Sequence, residues 1–202
     1  MNDIGASLAS VNDMLEMRNM PPIDVERYRD CIGVPIRCFY EKVFDLENEN
    51  YSEILRQYNE GYLYHLKDCG LGDGAREALD FFEKEGAKQI IVSSSNNAQL
   101  CENVRKYGVW KYFDAVLGAA DFMAASKIER AVDYLKKEGA KSENVLVIGD
   151  LEHDAEMAKK IGADCILQSS GHEKRERLAA ANVPVIADFY ELTELVKQRG
   201  FV

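Results

Sequence analysis

Asn144-Val-Leu-Val-Ile-Gly-Asp-Leu-Glu-His-Asp154 decides the fold class of this chain. The apolar residues Val145 to Ile148 form the short continuous run expected of a strand buried on both faces. The run stops at Gly149-Asp150, and Ala155-Glu-Met-Ala-Lys-Lys-Ile161 continues at helical spacing to Gly162. Asp150 therefore stands at the carboxyl end of a parallel strand, the edge at which open α/β sheets bind ligands. Asp154 lies near the start of the following helix. Two carboxylates so placed repel each other unless a cation or a lysine compensates them. A helix cap at Asp154 and a turn residue at Asp150 would use the same residue types without any chemistry.

Two similar junctions precede this one. Lys88-Gln-Ile-Ile-Val-Ser93 reads as a strand running into Ser93-Ser-Ser-Asn-Asn97, a cluster of hydroxyls and amides that opens a helix from Ala98 to about Tyr107. Free N–H groups at a helix start, with hydroxyls beside them, suit an anion. Ordinary N-capping by Ser or Asn explains the same composition. Asp114-Ala-Val-Leu-Gly118 reads as a short strand, followed by the helix Ser126-Lys-Ile-Glu-Arg-Ala-Val-Asp-Tyr-Leu135. Lys127 is then a cation at a helix N-terminus, electrostatically misplaced unless an anion lies nearby. The order hydroxyl, Lys, Gly-Asp-x-x-x-Asp, each at a strand-to-helix junction, is the feature that calls for a common explanation.

Organisation along the chain changes near Lys67-Asp-Cys-Gly-Leu-Gly-Asp-Gly74, whose glycines mark a connection. Before it the pattern is helical. Ile4, Leu8, Val11 and Leu15 share one face with Met14, and Pro21-Pro22 stops that helix. Asp24 caps a second helix, Pro35 opens a third, and Asn50 begins a fourth that runs to about Leu66. After the glycines, helices and short strands alternate to the end of the chain, which implies a parallel sheet with right-handed crossovers. The expected division is residues 1–67 as a helical cap and 68–202 as an α/β core.

Composition sets limits on function. A formal charge of −10 argues against nucleic-acid or anionic-membrane partners, which need a basic surface. Five cysteines without a C-x-x-C pair fit buried thiols in a reducing cytoplasm. The first residues, with Asp3, Asp13 and Glu16, lack the basic lead-in of a signal peptide, and no apolar run approaches a membrane span.

Leu66 to Val202 resembles the haloacid dehalogenase-like (HAD) phosphohydrolase superfamily. Ser93 matches its second motif, Lys127 its third and Gly149-Asp150-x-x-x-Asp154 its fourth. The N-terminal stretch, with Leu15-Glu-Met-Arg-Asn-Met-Pro-Pro22 and Cys31-Ile-Gly-Val-Pro35, is similar to the helical cap of the phosphoglycolate phosphatase-like branch. The resemblance implies a magnesium-dependent phosphatase of small phosphorylated metabolites, working through an aspartyl-phosphate. Lys127 and Ser93 would be catalytic, Ser93, Ser94 and Asn96 would bind substrate, and Asp150 and Asp154 would belong to the Mg2+ site. A phosphate in transfer needs charge and donors around its equatorial oxygens, and these residue types supply them. His172 follows a strand end and is a further candidate to line the site, whereas His153 is expected at the surface.

One departure from the resemblance is large. The family's first strand ends in Asp-x-Asp-Gly-Thr, which carries the nucleophile and a magnesium ligand, and no Asp-x-Asp precedes Leu66 here. The expectation is a truncated or mis-set start and an inactive polypeptide. The alternatives are a non-catalytic phosphatase-like binding protein and a β-phosphoglucomutase-like phosphomutase. The missing strand would lie between the strands ending at Ser93 and Gly149. These would then close together, borrow a strand from another copy, or self-associate through unpaired edges.

Overall fold

The computed structural model describes residues 1–33, 35–119 and 126–200. Four helices come first: α1 (Ile4–Glu16), α2 (Val25–Cys31), α3 (Arg37–Val43) and α4 (Tyr51–His65). Asp24 caps α2 by accepting from the Arg27 N–H, and Asn50 caps α4 by accepting from Ser52 and Glu53. The apolar face read from the sequence of α1 is the one that packs. Val11, Met14 and Leu15 join Tyr28, Cys31, Phe39, Tyr40 and Ile54 in one buried cluster. Small residues bring α1 and α4 close: Ser10 donates to the Tyr58 carbonyl at 2.8 Å, and the Tyr58 hydroxyl donates to Ser7 at 3.1 Å.

The remainder alternates as expected: α5 (Ala75–Lys84), β1 (Ile90–Asn96), α6 (Asn97–Lys106), β2 (Ala115–Ala119), α7 (Lys127–Glu138), β3 (Leu146–Gly149), α8 (Glu152–Ile161), β4 (Asp164–Gln168), α9 (Arg175–Ala179), β5 (Val185–Ile186) and α10 (Phe189–Arg199). All three strand pairs are parallel. Side chains alternate between the two faces, as the period of a strand demands. Leu146, Ile148 and Ile166 meet Ala78, Leu192 and Val196 of α5 and α10. Val147, Cys165 and Leu167 meet Ala131, Met157 and Leu178 of α7, α8 and α9. The continuous apolar run at Val145–Ile148 is thus covered on both faces.

The sheet is in two pieces, β1–β2 and β3–β4–β5. Among the described residues no hydrogen bond joins β1 to β3, and no segment of the chain stands between them as a strand. The closing together of these strands, one of the outcomes the sequence left open, does not occur. Helix α7 spans the break instead, reaching the α8 and β4 cluster through Ala131 and Ile128, with Val92 of β1 packed against that cluster. The strand ending at Ser93 is also longer than expected. It continues through a register shift after Val92 until Asn96 pairs with Ala119, the signature of a bulge.

Candidate active site

Lys127, Asp150 and Asp154 come together where β3 meets α8, at the N-terminus of α7. Asp154 Oδ2 accepts from the backbone N–H groups of Asp150 at 3.0 Å and Leu151 at 3.2 Å. Its other oxygen accepts from Lys127 Nζ at 2.5 Å. The side chain is 2% exposed, so this carboxylate is buried but fully partnered, as a buried charge must be. The first turn of α8 also favours negative charge there. Gly149 is required by this packing: the Asp154 carboxylate occupies the place where a Cβ at 149 would sit.

Lys127 follows the Ser126 cap, which forms a reciprocal capping box with Glu129. The anion demanded by a lysine at a helix start is Asp154. One Lys127 proton is engaged by that ion pair, leaving two donors for a ligand. Three residues along α7, Arg130 donates to the Ser93 carbonyl at 2.7 Å. Helix α7 therefore holds both half-sheets, one through Lys127 and the other through Arg130. The sequence reading passed over Arg130, although its spacing from Lys127 places it on the same face.

Ser93, Ser94 and Asn96 stand on the other half-sheet. The Ser93 hydroxyl accepts from the Ser95 N–H at 3.1 Å, and Ser94 is exposed. Asn96 caps α6, accepting from Ala98 and Gln99 at 3.0 and 3.3 Å. Asn97, not singled out in the sequence, accepts from the Gly118 N–H at 2.8 Å and ties α6 to β2. Among the described residues no hydrogen bond links Ser93, Ser94 or Asn96 to Asp150.

Asp150 turns toward the loop after β4. Its Oδ2 accepts from the His172 N–H at 3.1 Å, and its carboxylate occupies the place of a Cβ at Gly171. The His172 ring reaches the helical region, with Nδ1 3.0 Å from the Tyr28 hydroxyl and Nε2 3.4 Å from Asp3. Burial disfavours the charged imidazole, but the Asp3 hydrogen bond and the charges of Asp150 and Asp3 outweigh it and raise its pKa. Burial opposes ionisation of Asp3 as well, yet His172 and Tyr62 hold its carboxyl below the ordinary range. Burial raises the pKa of Glu173, whose carboxylate accepts from the Glu152 N–H at 2.5 Å at the start of α8. His153 pairs with the exposed Glu156, at 3.0 Å.

A magnesium ion fits this set only in part. Asp150 offers one carboxylate, while Asp154 is committed to Lys127 and two backbone N–H groups. Among the described residues no group of three or more His, Cys, Asp or Glu side chains could hold a metal.

The sequence model of the haloacid dehalogenase-like hydrolase family matches residues 1–168. The chain belongs to this family. Among curated relatives of this HAD-like hydrolase is a probable phosphatase, IndB, of Dickeya dadantii (strain 3937), 27% identical over 194 residues that cover 93% of this chain and 82% of the relative. A phosphoglycolate phosphatase of Vibrio parahaemolyticus is 28% identical over 123 residues, 60% of this chain and 54% of the relative. A pyrophosphatase, PpaX, of Halalkalibacterium halodurans is 24% identical, and the chain covers 61% of its length. The chain thus spans little more than half the length of some of the relatives it matches. Among solved structures, a putative phosphatase from Clostridium difficile superposes with a TM-score of 0.79 at 19% identity, covering 96% of this chain and 92% of that one. A putative β-phosphoglucomutase from Thermotoga maritima gives 0.68 at 19% identity over 94% and 89%. At such identities the likeness is one of fold. No helix among the described residues is long and apolar enough to cross a membrane.

Proposed function

We propose that this HAD-like hydrolase carries the phosphate-handling side of a phosphomonoesterase site for a small phosphorylated metabolite in the cytoplasm. The observation that carries the reading is Lys127, held by buried Asp154 at the sheet edge where Asp150 emerges. A lysine fixed in this way offers positive charge and donors without reorganisation, which is the need of a phosphoryl group in transfer. Ser93, Ser94 and Asn96 are the proposed donors on the facing half-sheet, and residues 1–67 the cap that shapes the substrate space. Asp150 would be the magnesium ligand supplied from this region. A bound magnesium would supply charge neutralisation at the phosphate.

A nucleophile is the component lacking from this set, since no Asp-x-Asp precedes Leu66. Electrostatic stabilisation alone gives little route to a covalent intermediate. The polypeptide Met1–Val202 is therefore expected to show no turnover of a generic phosphomonoester with magnesium. Turnover that Asp150→Ala abolishes would overturn that expectation and demand another nucleophile. Where an aspartate-terminated strand precedes Met1, Lys127→Ala should lower turnover more than Ser93→Ala, whose cost is one charge-assisted hydrogen bond, about 1.5–3 kcal/mol. The reverse order would sink the role assignment. A second reading is a non-catalytic phosphate-binding protein, which would show no turnover even where an aspartate-terminated strand precedes Met1.

Among the described residues the facing edges of β1 and β3 are unpaired, which supports association between copies. Sedimentation velocity should show mass rising with concentration, and a monomer throughout would remove that proposal.

A further inference from the structure

The loop from Ser169 to Lys174 is gripped from two sides. From the helical region, Arg29 of α2 donates to the Gly171 carbonyl at 3.0 and 3.2 Å, and Lys174 pairs with Asp30 at 2.6 Å. Arg177, just beyond the loop, donates to the Ile32 carbonyl at 2.7 Å. From the α/β side, Asp150 takes the His172 N–H and packs where a Cβ at 171 would be. His172 belongs to both grips, through its ring on one side and its backbone on the other.

Asp3 shows that the ring contact is built in. It stands at the N-cap of α1, where an aspartate ordinarily accepts from the following N–H groups. It makes no such bond. Its carboxylate accepts instead from the Tyr62 hydroxyl of α4 at 2.6 Å and faces His172. Tyr28, 3% exposed and packed on Phe39, holds the other ring nitrogen. Three helices thus converge on one imidazole.

We propose that His172 is a positioning residue through which the helical region sets the conformation of Asp150. Displacement of α2 carries the imidazole and the Gly171 carbonyl with it, and so moves the N–H that Asp150 accepts. Asp150 is then held against the loop or released toward the sheet edge according to where the helical region sits. The meaning of this for catalysis rests on the phosphatase reading, but the coupling does not, and it is measurable in the ligand-free chain.

Amide hydrogen exchange and the side-chain carboxyl 13C signal of Asp150 read the coupling directly. Tyr28→Phe and Asp3→Asn should each lower protection of the His172 amide about tenfold, the effect of one lost hydrogen bond. Each should also shift the Asp150 signal while leaving the Ile166 amide of β4 unchanged. Lys174→Ala, which removes partly exposed ion pairs to Glu26 and Asp30 without touching the His172 ring or its N–H, should change neither. An unchanged His172 amide and Asp150 signal in the first two variants would overturn the proposal. So would exchange at Ile166 accelerating as much as at His172, since that marks a general loss of stability. If Asp3→Asn does not fold, Tyr28→Phe, which keeps the ring on Phe39, decides alone.

Discussion

The two half-sheets are built from similar residues and end in different states. In β4, paired on both edges, Cys165, Ile166, Leu167 and Gln168 are all buried, Ile166 and Leu167 completely. In β1, paired on one edge among the described residues, Ile90, Ile91 and Val92 are no less apolar, yet each remains partly exposed. Composition alone does not bury a strand. Neighbours at the edges add to the cover that helices give the faces: edge strands β3 and β5 bury Val147 and Ile186, whereas the three apolar residues of β1 keep part of their surface in water.

Helix α7 is where that comparison breaks most easily, because it holds both halves. Lys127→Ala leaves the buried Asp154 carboxylate without its ion-pair partner, a loss of about 3–5 kcal/mol for a pair of this kind. Urea denaturation should show it as a lowered midpoint, and stability must be measured beside any activity of this variant. A loss under about 1 kcal/mol would mean that the two backbone N–H groups suffice to hold Asp154. Given the larger loss, Lys127, which the sequence placed at a helix start in need of an anion, would support the fold through Asp154 as well as meet a ligand.

A paired substitution sharpens the contrast between the strands. Ile166→Ala opens a cavity at a fully buried position and should cost about 2–5 kcal/mol. Ile91→Ala, at the half-exposed edge strand, should cost about 1 kcal/mol, because part of its surface already faces water. Equal losses in the two variants would show that β1 is covered in solution, by another copy or another segment.

Much of this arrangement was legible in the sequence because it is local. The run Val145–Ile148 and the alternation of helix and strand after Gly74 placed the α/β region, and the charge pattern anticipated a partner for Lys127. The strand Val185–Ile186 continues that alternation near the end of the chain. Boundaries shifted for physical reasons. Helix α8 begins at Glu152 because Asp154, inside its first turn, turns back to accept from Asp150 and Leu151. Strand β1 runs on to Asn96 through its bulge. The network of Asp3, Tyr28, Tyr62 and His172 was not legible at all. Tyr28 and His172 lie 144 residues apart, and no periodicity records a contact at that range. Gly171, required by the close approach of Asp150, is the one local mark of the network in the sequence.

The break between β1 and β3 has a consequence for how the chain folds. Strand partners lie near one another in sequence, Ile90 with Ala115, Leu146 with Asp164, and Leu167 with Val185. Among the described residues no ladder closes a longer loop across the junction of the two halves. Each half-sheet is a contiguous stretch whose closure entropy is modest, and the helical core from Val11 to Ile54 is contiguous too. Contacts of this kind favour rapid, segment-by-segment folding. The strand ladders can thus form in the order of synthesis, with α7 emerging in time to clasp the first half-sheet, while the packing of α5 on α10 and the Tyr28–His172 contact wait for the end of the chain.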